Sequence, residues 1–150
     1  MNTKTLVRAG IAVLSGAVLL APTAAFAGPF TDQVRYQLLQ AAIALGLSGN
    51  FELTHDPYVD ALDDGDAEYI TLTLRRGTTY GIVGVCDEDC RDIDLGIYDG
   101  NGNLIDSDIE YDDYPTVSVS PRWSGQYQLR VKMASCESSP CYYGVGVFGR

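Results

Sequence analysis

The segment Asp92-Ile-Asp-Leu-Gly-Ile-Tyr-Asp-Gly-Asn-Gly-Asn-Leu-Ile-Asp106 decides the fold. Its first half alternates aliphatic residues with other types, which is the pattern of a strand that turns one face to a core. The tetrad Asp99-Gly100-Asn101-Gly102 then supplies turn residues whose central positions tolerate positive φ. Leu104 and Ile105 begin a return strand. The segment therefore predicts an antiparallel β-hairpin.

Period-two alternation recurs on both sides of this hairpin, between short connections rich in turn-forming residues. About eight short strands at roughly ten-residue spacing are typical of an antiparallel sandwich or jelly roll. The sequence shows no β-α-β alternation and no internal repeat. We therefore expect an all-β, jelly-roll-like β-sandwich with one N-terminal helix. Seven of these expected strands can be placed, at 70–74, 80–85, 93–98, 104–105, 116–120, 127–133 and 142–148.

A helical pattern precedes the strands. Apolar residues recur at spacings of three to five between residues 30 and 47, which predicts an amphipathic helix there. Pro29 stands at its start, and Gly46 or Gly49 can end it. We expect the helix to pack across one end of the sheet, and a partner-binding helix is the alternative.

The first residues of the chain resemble an export signal. Lys4 and Arg8 form a positive start, an apolar run follows over 9–21, and Ala25-Phe26-Ala27 offers the small residues of a cleavage site. The run is short for a membrane span of about 20 residues, so a retained anchor is the weaker alternative. The expected organisation is a signal peptide over 1–27, a helix region over 28–50 and the sandwich over 51–150.

The chain is strongly acidic, with 20 Asp and Glu against 10 Lys and Arg. Residues 28–150 hold eight of the basic residues, so that part has a net charge of −12. Such a surface repels nucleic acid and anionic lipid, and we exclude both as partners. No second apolar run suggests a membrane span after cleavage. The expected product is a secreted or periplasmic monomer.

Four cysteines agree with export, because disulfides persist in oxidising compartments. They form two close pairs with polar turn residues between them. Crossed pairing would constrain the unfolded chain more strongly, by about 4 kcal/mol against about 2 for a short loop. Tight turns, however, bring neighbouring cysteines to bonding distance, and we predict Cys86–Cys90 and Cys136–Cys141. A four-thiolate zinc site is the alternative, and the spacing does not favour it.

Several segments are similar to the bacterial pre-peptidase C-terminal domain. These are Asp92–Asp99, Gly102–Asp108 and Gly125–Val131, and Ala67–Tyr80 looks like the opening hairpin of that family. The resemblance covers roughly residues 66–148 and implies a non-catalytic jelly-roll β-sandwich in secreted bacterial proteins, serving binding, secretion or solubility. Some relatives bind collagen and Ca²⁺. This chain differs by having no attached peptidase, an added helix and two cysteine pairs.

Carboxylates crowd two segments, 87–94 and 106–113. Like charges at close range are costly unless a cation lies between them, so convergence of the two segments predicts Ca²⁺ binding. A solvated acidic rim is the alternative. An EF-hand-like spacing that starts at Asp99 fails, because Leu104 occupies the position that needs Gly. The candidate Ca²⁺ ligands are Asp92, Asp94, Asp108, Asp112 and Asp113.

Catalysis has little support in the sequence. His55 is the single histidine, and no serine lies in a nucleophile-elbow motif. Aromatic residues near strand ends can instead stack on sugar rings or anchor a protein, with core filling as the alternative. These are Tyr111, Tyr114, Trp123, Tyr142 and Tyr143.

We therefore expect a secreted, non-enzymatic binding or accessory module, with Ca²⁺ as a candidate stabilising ligand. Its partner would be an extracellular or cell-wall protein or a polysaccharide. A structural, envelope-associated protein and a small secreted hydrolase are the alternatives.

Overall fold

The computed structural model describes residues 29–44, 46–47 and 49–150. The predicted signal peptide lies outside these residues, and its cleavage stays a prediction. Within the described ranges the chain forms one helix and nine strands, which confirms the predicted all-β class. The elements are α1 Pro29–Ala44, β1 Glu52–Leu53, β2 Tyr58–Leu62, β3 Ala67–Leu74, β4 Tyr80–Cys86, β5 Cys90–Tyr98, β6 Leu104–Asp108, β7 Thr116–Val119, β8 Gly125–Cys136 and β9 Cys141–Gly149.

The strands form two antiparallel sheets that face each other. Sheet A has the order β2-β9-β4-β7, and the short β1 also pairs with β9. Sheet B has the order β3-β8-β5-β6. From β2 onward the chain changes sheets at every connection except the β5–β6 hairpin. This is the strand order of a jelly roll, as the sequence predicted.

The hairpin between β5 and β6 is confirmed, with one change in its turn. Positive φ is adopted at Gly102 (82°) and not at the central positions of the tetrad. The Asp99 carboxylate organises the turn, because its Oδ1 accepts N–H groups from Asn101 and Asn103, each at 2.9 Å.

The opening hairpin that the family resemblance suggested over Ala67–Tyr80 is wrong. β3 pairs with β8 in sheet B, whereas β4 pairs with β7 and β9 in sheet A. The connection between them crosses from one sheet to the other, with Gly77 at φ 89° in the turn. The physical reason is that the apolar faces of both strands must enter one core from opposite sides.

The main core lies between the two sheets. Alternate residues of β5 and β8, among them Ile93, Leu95, Leu129 and Val131, are fully buried there. Each fully buried aliphatic side chain of this size contributes about 1.5–3 kcal/mol relative to exposure. The apolar residues of the predicted period-two pattern are therefore the residues that face the core.

The helix packs across the outer face of sheet A, not across one end of the sheet as expected. Val34 and Leu38 lie over Gly144 and Gly146 of β9, where the absence of side chains admits the helix closely. The reason is that β4 and β9 carry apolar residues on both faces and need a cover on the outer one.

The helix ends at a glycine, as the sequence predicted. Gly46 has φ 73° and donates its N–H to Ile43 C=O at 3.1 Å. Leu47 donates to Ala42 C=O at 2.9 Å, which completes a Schellman motif. The side chain of Leu47 is buried against sheet A, so the cap also fixes where the helix ends on the sheet.

Both predicted disulfides, Cys86–Cys90 and Cys136–Cys141, are present. Each is short in sequence, yet each joins sheet A to sheet B, because the cysteines of a pair lie in β4 and β5 or in β8 and β9. Cys90 and Cys136 also lie opposite each other in the β5–β8 ladder. The two bonds therefore lie side by side and hold one end of the sandwich closed, which we call the disulfide end.

Carboxylate contacts close the open side of the sandwich between β2 and β3. Glu68 accepts the hydroxyl of the buried Tyr143 and, at 3.3 Å, that of Tyr58. Burial and then the charge of Asp60 raise the pKa of Glu68. Burial, followed by the charges of Glu68 and Asp60, raises the pKa of Tyr58 to about 12. These contacts link sheet A to sheet B without a shared β-ladder.

A methyl group at Gly144 tests the packing of the helix. A Cβ there would overlap Val34 Cγ1, so we expect Gly144→Ala to lower the free energy of unfolding by roughly 1–3 kcal/mol through overpacking. A Cβ at Gly49 meets nothing within 4 Å, and Gly49→Ala should be close to neutral. Urea unfolding of both variants makes the comparison. Equal stability of the two would show that α1 does not rest on this strand.

Candidate functional site

The two acid-rich segments of the sequence, 87–94 and 106–113, meet at the disulfide end, and we call them together the acidic rim. Ile93 donates its N–H to Asp112 C=O at 3.1 Å. Leu95 lies opposite Asp108 in the β5–β6 ladder. The convergence on which the Ca²⁺ prediction depends is therefore present.

Several carboxylate oxygens of the rim already accept hydrogen bonds from backbone N–H groups. Asp108 Oδ2 accepts the Thr116 N–H at 2.8 Å, and Asp106 Oδ2 accepts the Ser118 N–H at 2.8 Å. Both bonds run from β6, the edge strand of sheet B, to β7, the edge strand of sheet A. These carboxylates therefore close the second open side of the sandwich.

Asp112 has a similar local role. Its Oδ1 accepts the Tyr114 N–H at 3.0 Å, which shapes the connection between β6 and β7. Asp113 is half-buried in the same connection. Of the five predicted ligands, Asp108 and Asp112 thus hold the loop together through their own oxygens.

Asp94 is the most deeply placed of the predicted ligands, with 9% of its surface exposed. Burial and then the charge of Asp92 raise its pKa, and Lys132, whose Nζ lies 4.0 Å from Asp94 Oδ2, acts against that rise. Asp92 Oδ1 is buried and has no hydrogen-bond partner in the described part of the chain. Asp94 is thus an acid of the rim whose ionised form is disfavoured by burial, and Asp87, like Asp92, has one buried carboxylate oxygen without a partner among the described residues.

Among residues 29–44, 46–47 and 49–150, no group of three or more Asp, Glu, His or Cys side chains is arranged to hold a metal ion. The rejected EF-hand-like segment is a turn, in which Asn103 donates its amide to Asp99 Oδ2 at 3.0 Å. Binding of Ca²⁺ by the rim stays a prediction of the sequence.

His55 serves the packing of the chain. Its Nδ1 lies 2.9 Å from Thr54 Oγ1, and its Nε2 lies 3.3 Å from Thr73 C=O. Its ring also meets Tyr80 edge-on. Because these contacts tie the segment before β2 to the end of β3, His55 has a packing role in the structure.

The candidate aromatic residues divide by exposure. Tyr143 is fully buried, and Tyr142 is partly exposed with its N–H donating to Asp87 Oδ2 at 2.9 Å. Tyr111, Tyr114 and Trp123 are well exposed. These three and Tyr142, which is 38% exposed, are accessible to a ligand, whereas Tyr143 is not.

Further exposed apolar residues lie on α1 and were missed by the sequence analysis. Tyr36, Leu39 and Ile43 share the outward side of the helix at spacings of three and four. The helical period could have found them, because they repeat on the side opposite Val34 and Leu38. Tyr114, on the connection from β6 to β7, lines a cleft together with Tyr36 and Gln40 of α1. We call the exposed residues of these two segments the loop–helix face: Tyr36, Leu39, Gln40, Ile43, Ile109, Tyr111 and Tyr114.

A cleft of about 510 Å³ lies in the loop–helix face between α1 and Tyr114. Ala41 and Ala44 line it together with Tyr36 and Gln37. Gln37 Oε1 is buried there without a hydrogen-bond donor among the described residues. The lining of the cleft is mainly apolar, so the cleft can take an apolar group.

No known family model matches the sequence, and no curated protein shows significant similarity to it. Among solved structures, the chain is similar to a periplasmic lysozyme inhibitor of g-type lysozyme from Aeromonas hydrophila. The two share 13% sequence identity with a TM-score of 0.46, over 63% of this chain and 84% of the inhibitor. No helix in the described residues is long and apolar enough to cross a membrane.

The raised pKa of Asp94 predicts a pH-dependent effect of its substitution. When folding raises the pKa of an acid, the folded state is more stable with the acid protonated than with it ionised. This stability is fully present below the pKa of the unfolded chain and is lost as the pH rises through the pKa of the folded protein. We expect Asp94→Asn to raise the melting temperature at pH 7. The gain should shrink as the pH falls toward the ordinary Asp value of about 3.9.

The matched control is Glu88→Gln, which removes one exposed negative charge from the same rim. Thermal melts of both variants from pH 3.5 to pH 7.5 separate the burial of Asp94 from the overall charge. A gain at Glu88→Gln as large as that at Asp94→Asn would remove this explanation.

Calcium binding by the rim is tested by melting the protein with millimolar Ca²⁺ and with EGTA, together with calorimetric titration. If Asp92 and Asp94 take part, Ca²⁺ raises the melting temperature of the wild type, and Asp92→Asn with Asp94→Asn removes that rise. Absence of both heat and a melting shift in the wild type would eliminate the calcium prediction.

Proposed function

We propose that this chain is a secreted, non-enzymatic binding module whose loop–helix face docks the basic surface of another protein. The observation that carries the proposal is the exposure of large apolar side chains beside the α1 cleft. Ile109, Tyr111 and Tyr114 are 73%, 75% and 52% exposed on one short connection.

Exposed apolar groups gathered in this way are unusual on a soluble monomer. Single exposed apolar residues are ordinary, but a contiguous apolar patch with a polar margin is typical of interaction surfaces. Here the apolar side of α1 adjoins the cleft, and Tyr114 forms the far wall of that cleft. Tyrosine is also among the residues that contribute most to binding energy at interfaces.

The charges around the patch favour a basic partner. Glu110, Asp112 and Asp113 lie within the same connection as the exposed apolar residues, and Asp108 ends β6 just before it. A negative potential beside an apolar centre accelerates encounter with a positively charged surface and disfavours the binding of acidic proteins. The partner surface we propose therefore has an apolar centre and a margin of Lys and Arg.

Export of the module is supported by two features. Its four cysteines are all oxidised, and disulfides persist in oxidising compartments such as the periplasm or the exterior. The expected signal peptide over 1–27 is consistent with the same destination.

The docking surface can be mapped by nuclear magnetic resonance of the labelled domain. A helical peptide of Lys and Leu and the basic protein cytochrome c serve as probes of the proposed chemistry. A Lys–Ser peptide of equal charge separates the apolar contribution from charge alone. We expect chemical-shift changes confined to 36–44 and 108–114 with the Lys–Leu peptide, and much smaller ones with the Lys–Ser peptide.

Substitution gives the energetic test. Tyr111→Ser combined with Tyr114→Ser should weaken binding of the Lys–Leu peptide at least tenfold, about 1.4 kcal/mol. The control is Tyr69→Ser, which removes a similarly exposed tyrosine from the outer face of sheet B. Shift changes spread evenly over the acidic surface, or equal affinity of the two variants, would overturn the proposal.

A further inference from the structure

We propose a second binding site, for a neutral pyranose unit of a glycan, in a cleft at the end of the sandwich opposite the disulfides. The cleft has a volume of about 420 Å³ and lies between the β5–β6 turn and the connection from β7 to β8. Because β5 runs from Cys90 at the disulfide end to Tyr98 at this one, the cleft is separate from the loop–helix face.

Trp123 gives the cleft a fixed aromatic wall. Its ring is 41% exposed and stacks on Tyr127, with ring centroids 6.2 Å apart and planes 25° from parallel. Tyr127 is itself buried, and its hydroxyl donates to the Trp123 carbonyl at 3.0 Å. The indole is therefore held in place before any ligand arrives, which reduces the ordering cost of binding.

Aliphatic residues also line the cleft. Leu104 and Ile105, at the start of β6, are 54% and 43% exposed. A ligand that stacks on Trp123 and contacts this aliphatic lining presents a flat apolar surface to both. The C–H faces of an equatorially substituted pyranose have this shape, and the electron-rich face of an indole attracts such weakly positive C–H groups.

Polar groups of both signs lie at the margin of the cleft. Asn103 and the backbone of the turn hold the Asp99 carboxylate in one orientation, and their hydrogen bonds lower its pKa, so it is ionised at neutral pH. Asp99 Oδ2 accepts one of these bonds and keeps further acceptor capacity. A ligand hydroxyl can donate to it.

Arg122 supplies the complementary donor. It is exposed, lines the cleft and makes no ion pair with any residue that the structure describes. A carboxylate and a guanidinium beside one apolar slot suit a neutral ligand with hydroxyl groups, since a hydroxyl both donates and accepts. An anionic sugar would instead face Asp99 and the overall negative charge of the domain.

The volume agrees with this class of ligand. Small-molecule sites typically enclose roughly 300–1,000 Å³ and combine apolar walls with a few convergent polar groups. The cleft meets the volume condition, and its lining is more polar than that of a typical apolar pocket, which suits a ligand rich in hydroxyl groups. It is open to solvent along its rim, so a glycan chain can enter with neighbouring units outside.

The test uses the fact that Trp123 is the sole tryptophan of the chain. We would titrate the protein with cellohexaose, laminarihexaose and N-acetylchitohexaose, and with polygalacturonate as an anionic control. The expected result is a saturable change in tryptophan fluorescence with at least one neutral oligosaccharide and none with polygalacturonate. No change and no calorimetric heat with all three neutral probes at millimolar concentration overturns the proposal.

Two variants locate the site, with thermal melts to confirm that each is folded. Arg122→Ala keeps the fluorescent reporter and should weaken binding at least fivefold. Trp123→Ala, followed by calorimetry, should reduce binding at least tenfold.

Tyr111→Ala and Arg35→Ala are the matched controls, since they remove an exposed aromatic and an exposed cation elsewhere. Both should bind as the wild type does. Glycan binding that survives Trp123→Ala, or that is lost in Tyr111→Ala, would place the site elsewhere. Because the loop–helix face is tested with basic peptides, failure of either proposal leaves the other standing.

Discussion

The need to bury both faces of β4 and β9 is the constraint on which the rest of the structure depends. Every residue of β4 is buried, and so is nearly every residue of β9, although a sandwich strand ordinarily turns one face to water. The inner faces meet sheet B, and the outer faces are covered by α1 and Leu47, with Phe51 and Val59 packed against the same cluster. Because α1 lies on this outer face, a cleft forms between the helix and Tyr114. The candidate binding face therefore depends on the burial of β4 and β9.

Carboxylates have a structural part in this fold as well as a surface one. A two-sheet sandwich leaves two open sides, and unpaired N–H groups of its edge strands attract other chains. Here Asp106 and Asp108 bind the free N–H groups of β7 on one side, and Glu68 binds two tyrosine hydroxyls on the other. Some of the carboxylates that suggested a metal site therefore serve to close the open sides of the sandwich.

The sequence predicted what depends on neighbouring residues and missed what depends on distant ones. Alternation in 93–97 and the turn at Asp99 established the hairpin, and short spacing with turn residues established both disulfides. Alternation reports which face of a strand is buried but not which strand lies beside it, so it could not correct the β3–β4 hairpin that the family resemblance implied. Among the tyrosines, pattern alone did not separate the buried Tyr143 from the exposed Tyr111, because both lie beside strand ends.

The order of the cysteines along the chain has a consequence for biogenesis. A polypeptide that crosses a membrane from its N-terminus presents Cys86 and Cys90 to the oxidant before Cys136 has emerged. Each thiol thus meets its native partner first, a few residues away, and wrong pairings have little time to form. Oxidation in the order of the chain therefore gives the native connectivity directly, without reshuffling by thiol–disulfide exchange.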